Sequence, residues 1–478
     1  MIKLPLVEGL KKYLNEANSP FSMPGHKQGR GFNIKSLGIN LNDIITSIDL
    51  TEVDGIDNLH KPEGIIKEAL QLLSNYYKSK KSYFLVNGST SGNLMMIFSA
   101  LEEGDKVLVE RNCHKSIFNA IIMKKLSPIY LNNIISKDLN IPITIDIEKL
   151  NKIISKESIK AIVLTYPNYY GIGCNLKEVI RICKNNNVKT LVDCAHGAHF
   201  GTNRKLPKSA VELGADIVVM SSHKTLPSLT QTAFLHVNDE SLIEKVDFYF
   251  GVFSSTSPSY MLMASMDYGR AFLQYEGEKS YNLLINRLIK FKEDIRYIKE
   301  INVVDSDFLN KYLEEYKICV DNSRLILNLE KQYNGHKFAD YLRKNRIQVE
   351  MSDEKNVVLI TTPFNNEEDF NRLTHAIINC NFETLKGDTC TWSLYDIPKM
   401  CISPYEAMNR EKIKVKLRDS ENMICGENII PYPPGVPLLM MGEIITKKYI
   451  KIIEELIKSG VSILGFEDNN IKIIKNKV

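Results

Sequence analysis

The chain has 478 residues, 44% of them apolar and 25% charged, with a formal net charge of +4. That length supports two or three domains with full cores, the composition is that of an ordinary soluble globular protein, and so small a charge gives no pull toward nucleic acid or an anionic membrane. The opening Met1–Gly9 carries an early acid and no long apolar core, and nowhere does an apolar run approach the roughly 18 residues that span a bilayer, so neither a secretory signal nor a membrane span is expected. Nine scattered cysteines without C-x-x-C spacing point to reduced thiols in a cytoplasm.

Taken in order, residues 1–22 predict an arm with a short amphipathic helix around Leu6–Leu14. Met23-Pro-Gly-His-Lys-Gln-Gly-Arg-Gly31 is too rich in Gly and Pro for regular structure. An acidic, irregular stretch from Asp49 to Gly64 precedes a helix through Ala69–Tyr76. From residue 82 short apolar runs alternate with amphipathic segments. Strands are predicted at Tyr83–Val86, Lys106–Glu110, Pro128–Leu131, Ala161–Thr165, Thr190–Asp193, Asp216–Met220 and Thr232–His236, with helices between them. That alternation means βαβ units and a mostly parallel sheet. A long helical stretch over Tyr260–Glu300, broken near Gly277, leads to a small α+β domain with strands Leu325–Leu329 and Val357–Thr361. Further on lie a proline-stiffened loop over Ile429–Pro437 and an apolar helix Ile444–Ile457. The chain divides on this reading into an arm with active-site loops over 1–64, a major domain over 65–290 and a C-terminal α+β domain over 291–478.

Several polar groups converge on the C-terminal edge of the predicted sheet, where open α/β sheets bind ligands. Ser221-Ser-His-Lys-Thr225 follows the run Asp216–Met220. A Lys in that place suits Schiff-base chemistry when burial lowers its pKa. Asp193 ends its own strand 31 residues earlier (224 − 193), about one βαβ unit away, and can hold a ring nitrogen protonated. Asn87-Gly-Ser-Thr-Ser-Gly-Asn93 lies between a strand and a helix, which suits either phosphate binding by the helix N-terminus or plain capping by Ser89 or Thr90. His114 follows the strand Lys106–Glu110. His196 and His199 form an H-x-x-H near Asp193 and Cys194, which opens a metal reading, but the intervening Gly does not give the same-face helical geometry of zinc enzymes.

A hydroxyl-rich turn, an imidazole, a strand-end Asp and a Ser-x-His-Lys resemble a pyridoxal-phosphate enzyme of the aspartate-aminotransferase fold. More narrowly, Met23-Pro-Gly-His-Lys27, the run Asp49–Gly64, Asn112-Cys-His-Lys-Ser116, Ser221-Ser-His-Lys224 and Tyr432-Pro-Pro-Gly-Val-Pro437 resemble the ornithine/lysine/arginine decarboxylase family in its short form. One departure is Met440-Met-Gly-Glu443, where the family carries Pro before Gly-Glu.

The resemblance implies an α/β fold, in which a mostly parallel sheet forms the cofactor domain beside a smaller α+β C-terminal domain. It implies pyridoxal 5′-phosphate as cofactor and decarboxylation of a basic amino acid. Arginine (giving agmatine) comes first, lysine (giving cadaverine) second, and ornithine is also possible, within polyamine metabolism. Lys224 carries the Schiff base and Asp193 pairs with the pyridinium nitrogen. His114 stacks on the ring, and Ser89, Thr90, Ser221 and His223 surround the phosphate. His196 lies near the ring edge, and Lys224 or His223 returns a proton to Cα. A homodimer or larger assembly is implied, with segment 23–64 reaching toward a neighbouring site. The substrate's distal cation needs a carboxylate. Glu443, in an apolar segment, ranks first and Asp54 second, ahead of Glu52 and Asp57. The alternatives are an aminotransferase or β-eliminating lyase on the same cofactor, a cofactor-binding regulator, and a hydrolase with a metal on His196, His199 and Asp193.

Overall fold

A computed structural model describes residues 4–387, 397–432, 437–458 and 461–475. The predicted 429–437 loop therefore lies partly outside the described residues. At its centre is a seven-stranded sheet of β1 (Lys81–Leu85), β2 (Lys106–Glu110), β3 (Ser127–Leu131), β4 (Ile159–Thr165), β5 (Lys189–Asp193), β6 (Ile217–Met220) and β7 (Ala233–Val237). The spatial order is β1-β7-β6-β5-β4-β2-β3. Pairings are parallel except those of β7, which runs antiparallel to β1 and β6. This is the mostly parallel α/β sheet that the alternation predicted.

The inner strands read as unbroken apolar runs because helices cover both faces of the sheet. Ile217–Met220 and Ala233–Val237 are buried at every residue. Helix α1 (Gly88–Ala100) lies so close to the sheet that a Cβ on Gly92 would stand 2.6 Å from a Leu85 methyl and 2.7 Å from one of Val219. Only glycine permits that approach.

Tyr260–Phe272 and Glu278–Ile295 are joined through a π turn, Leu273–Gly277. The predicted break is thus a widened turn in a continuous helix, which bulges without losing its hydrogen bonding. Beyond it, an antiparallel sheet orders Ile301–Val303, Arg324–Leu329, Asn356–Ile360 and Met351–Ser352 side by side. Helix Glu367–Ile378 is fixed by a capping box between Asn366 and Asp369. A third unit was not foreseen. It is a sheet of Lys412–Lys416, Asn470–Ile474 and Phe466–Glu467 with helix Lys447–Lys458, packed on its own apolar cluster around Ile429, Ile445 and Ile453.

The N-terminal arm is sewn onto the small sheet's domain, because Ser19–Phe21 pairs in parallel with Ile347–Val349. The irregular stretch before residue 65 is organised by Asp57, whose carboxylate accepts from the amides of Asn58, Glu63, Gly64, Ile66 and Lys67. Among the described residues no helix is long and apolar enough to cross a membrane.

Candidate active site

The parallel pairing of β5 and β6 sets Asp193 opposite Val219, so Lys224, five residues further on, begins its loop at the same sheet edge as the carboxylate. Asp193 is buried. Its Oδ2 accepts from Asn93 Nδ2 at 2.9 Å and its Oδ1 from the Ala195 amide at 3.2 Å. Asn93 comes from the second turn of α1 and also donates to Ser116 Oγ at 2.9 Å, while Ser116 bonds His114 Nδ1 at 2.8 Å. A continuous polar chain therefore links His114 to Asp193.

Lys224 Nζ lies 2.9 Å from His196 Nε2 and 5.4 Å from the centroid of the Tyr169 ring. The Tyr169 and His196 rings are 4.5 Å apart. On the far side of the imidazole, Arg324 Nη2 sits 3.3 Å from His196 Nδ1. A guanidinium only donates, so Nδ1 accepts and the neutral ring carries its proton on Nε2. Burial, reinforced by Lys224 and Arg324, holds His196 well below the usual histidine range, so the ring is neutral. Its Nε2–H then points at Lys224 Nζ and requires a lone pair there. The contact therefore favours the free amine. Burial also pushes the Lys224 pKa down to about 8, with Asp193 and Glu350 opposing.

No side chain caps the N-terminus of α1, where Gly88 has φ +71°. Neither Ser89 nor Thr90 fills the capping role, so the first-turn amides face outward for an anion. Ser221 Oγ donates to Ser89 Oγ at 2.8 Å, which puts two hydroxyls at that mouth, and Thr90 is exposed beside them. His223 Nδ1 donates to the Thr232 carbonyl at 2.8 Å, leaving Nε2 as an acceptor.

Two residues of this centre escaped the sequence reading. Arg324 is buried, and its Nη1 has no hydrogen-bond partner among the described residues, a cationic donor that suits an anion. Glu350 is the acid whose charge reaches Lys224 and Arg324, and its Oε2 accepts from the Met23 amide at 2.9 Å. Arg324 did leave a trace, as the one cation opening the apolar run Leu325–Leu329.

Glu443 requires a correction. It is fully buried, but Arg111 Nη1 and Nη2 grip its two oxygens at 2.8 Å each, and the Met440 amide donates to Oε2 at 2.7 Å. An acid so fully engaged is a tie between the C-terminal unit and the β2 edge, not a receptor for a substrate cation. Asp54 lies exposed in the 51–55 loop, and Asp57 is consumed by backbone amides. The metal reading also fails on geometry. His199 Nε2 turns to Asp321 Oδ2 at 3.1 Å while His196 faces Lys224, so the two imidazoles serve different partners.

The chain's family and structural neighbours are fold-type-I pyridoxal-phosphate enzymes, and this sheet shares their fold. The profile "Orn/Lys/Arg decarboxylase, major domain" matches residues 4–369 and "Orn/Lys/Arg decarboxylase, C-terminal domain" matches 392–471; the chain belongs to the Orn/Lys/Arg decarboxylase family. It is 34% identical to the uncharacterized protein YaaO of Bacillus subtilis, over 98% of this chain and 96% of that one. It is 31% identical to an arginine decarboxylase of the same organism, over 98% and 97%. Among solved structures, the lysine decarboxylase LdcF of Francisella novicida superposes with a TM-score of 0.78 at 22% identity, covering 98% of this chain and 81% of that one.

Proposed function

We propose that the protein decarboxylates a basic amino acid, arginine first, with pyridoxal 5′-phosphate held at the β5–β6 edge. The observation that carries this reading is Lys224, in contact with the Arg324–His196 pair and close to the buried Asp193. The donor set fits the cofactor: a carboxylate for a ring nitrogen, hydroxyls and uncapped amides for a phosphate, and an amine for a carbonyl.

When bound, that cofactor supplies the electron sink for the pair left as CO2 departs. The chain's own residues do the rest. Asp193, oriented by Asn93, holds the proton on the ring nitrogen, and His114, pinned by Ser116, covers the ring. Ser89, Ser221, Thr90 and the α1 amides take the phosphate. Arg324 offers its unpartnered Nη1 to the substrate's carboxylate. Lys224, whose pKa of about 8 lets it exchange a proton near neutrality, is the first group to protonate Cα, and His223 is the second, once its Nε2 has itself taken up a proton. Glu350 replaces Glu443 as the carboxylate for the distal cation.

The 31% identity to an arginine decarboxylase over nearly the whole chain supports arginine ahead of lysine. Exposed Ile39, Ile44, Leu50 and Val53, all within the segment read as reaching outward, support a homo-oligomer. The deciding assay supplies purified holoenzyme with arginine, lysine and ornithine side by side. Release of CO2 with the matching amine, fastest from arginine, is expected, and a keto acid in its place makes the protein an aminotransferase.

A further inference from the structure

The Met23-Pro-Gly-His-Lys27 segment plays no part in the chemistry above, yet it contains the most deeply buried cation of the described chain. Lys27 has no exposed surface. Its Nζ donates to the Ser22 carbonyl at 2.6 Å, within the same loop, and to the Ile360 carbonyl at 2.8 Å, on the small sheet. Lys27 and Gln28 both take left-handed backbone, φ +50° and +57°, a conformation unfavourable for residues with a Cβ. Burial pushes the Lys27 pKa down to about 7 against the pull of Glu350 and Asp369, with Arg324 and Arg30 as the facing cations. Mere space-filling there calls for a methionine, which carries no desolvation cost.

The loop that Lys27 staples lies between two bodies. On one side Glu350 accepts from Met23 N at 2.9 Å, and Thr362 Oγ1 donates to Gly25 O at 2.9 Å. On the other, Gly25 N donates to the His223 carbonyl at 2.7 Å. Gly25 is pressed so tightly there that a Cβ would stand 2.6 Å from Leu226 O and 2.7 Å from the Thr225 carbonyl carbon. The backbone on either side of Lys224 is thus supported from below by a loop whose height is set by the small domain.

We propose that Lys27 is a positioning residue for Lys224: its buried amino group locks the 22–31 loop to Ile360, and that loop, through Gly25, fixes the backbone of His223–Leu226. This rests on Lys224 being the reactive lysine, as argued above. A loop released from Ile360 lets the 223–226 backbone shift, and a displacement of about 1 Å at the reacting group costs on the order of 10²-fold in rate.

The test compares Lys27→Met and Thr362→Val with wild type. Lys27→Met removes the amino group at nearly constant volume, while Thr362→Val removes only the hydroxyl on Gly25. Two quantities are read: kcat and KM of the holoenzyme, and the rate at which Lys224 is acylated in cofactor-free protein, followed by peptide mass mapping. Lys27→Met is expected to lose on the order of 10²-fold in kcat with KM nearly unchanged, and to acylate faster at Lys224 because the 223–226 backbone is no longer held and Nζ moves more freely. Thr362→Val is expected to move both readouts the same way by less, and it decides the matter alone if Lys27→Met does not fold. Folded variants with wild-type kcat and wild-type Lys224 acylation overturn the proposal, whatever their melting temperatures. A wild-type protein that decarboxylates no basic amino acid refutes the function proposed above, yet leaves the acylation comparison intact.

Discussion

Glu443 and Arg111 form a bidentate, buried ion pair that joins the C-terminal unit to the strand edge three residues before His114. Arg111 Nη2 also donates to the Leu438 carbonyl at 3.2 Å, and its guanidinium lies 4.9 Å from the Tyr130 ring centroid. Breaking one side of such a pair leaves a buried charge uncompensated. Glu443→Gln is therefore expected to cost on the order of 3 kcal/mol in unfolding free energy while leaving KM for the basic amino acid unchanged in the folded fraction. Denaturant unfolding alongside steady-state kinetics checks this; a raised KM at full stability returns Glu443 to the substrate site.

Glu350 is the acid that the centre does contain. Glu350→Gln keeps the acceptor for the Met23 amide and removes only the charge, so the loop stays in place. KM for arginine is expected to rise on the order of tenfold or more, as for loss of a charged partner, with the cofactor's visible absorbance retained. An unchanged KM would place the distal cation elsewhere.

Asp193→Asn preserves shape, and Asn93 still has an oxygen to bond. The amide cannot stabilise a protonated ring nitrogen, so turnover is expected to fall on the order of 10²-fold or more in a protein that folds and takes up cofactor. Stopped assays on holoenzyme measure this, and near-normal turnover would remove Asp193 from the chemistry.

The pKa values fix two pH dependences. Lys224 in cofactor-free protein is the free amine above about 8, so its acylation rate is expected to rise through that pH and not near the ordinary 10.5. Lys27 is likewise depressed, to about 7. The unfolded chain binds that proton up to about 10.5, so folding expels it between the two values. The stability contributed by this residue is full above the unfolded value and is lost as pH falls toward 7. Lys27→Met should flatten that slope in unfolding free energy between about pH 7 and 10.

Much of this was readable in the sequence, for physical reasons that differ by residue. The strands of the central sheet are apolar on both faces, so Ile217–Met220 and Lys189–Asp193 announced themselves, and with them the strand ends that carry Lys224 and Asp193. Arg324 and Glu350 did not, because they lie 100 and 126 residues beyond Lys224 (324 − 224, 350 − 224), Arg324 opening a strand of the antiparallel sheet and Glu350 at the bend between Ile347–Val349 and Met351–Ser352, and both reach the site only through tertiary packing. Glu443 was rightly read as buried, but its partner was hidden, since Arg111 sits 332 residues away in a stretch that reads as loop. The sheet built on Lys412-Ile-Lys-Val-Lys416 was missed although its alternation is visible, because no motif marks it.

The central claim is that Lys224 is the residue that takes the cofactor's carbonyl. Protein loaded with pyridoxal 5′-phosphate and reduced with borohydride fixes the cofactor to whichever lysine holds it, and peptide mass mapping then reads the position. The added mass is expected on the peptide containing Lys224, and its loss is expected in Lys224→Ala together with loss of CO2 release. A label on Lys27 or any other lysine, or a Lys224→Ala protein that still binds cofactor covalently and turns over, would contradict it.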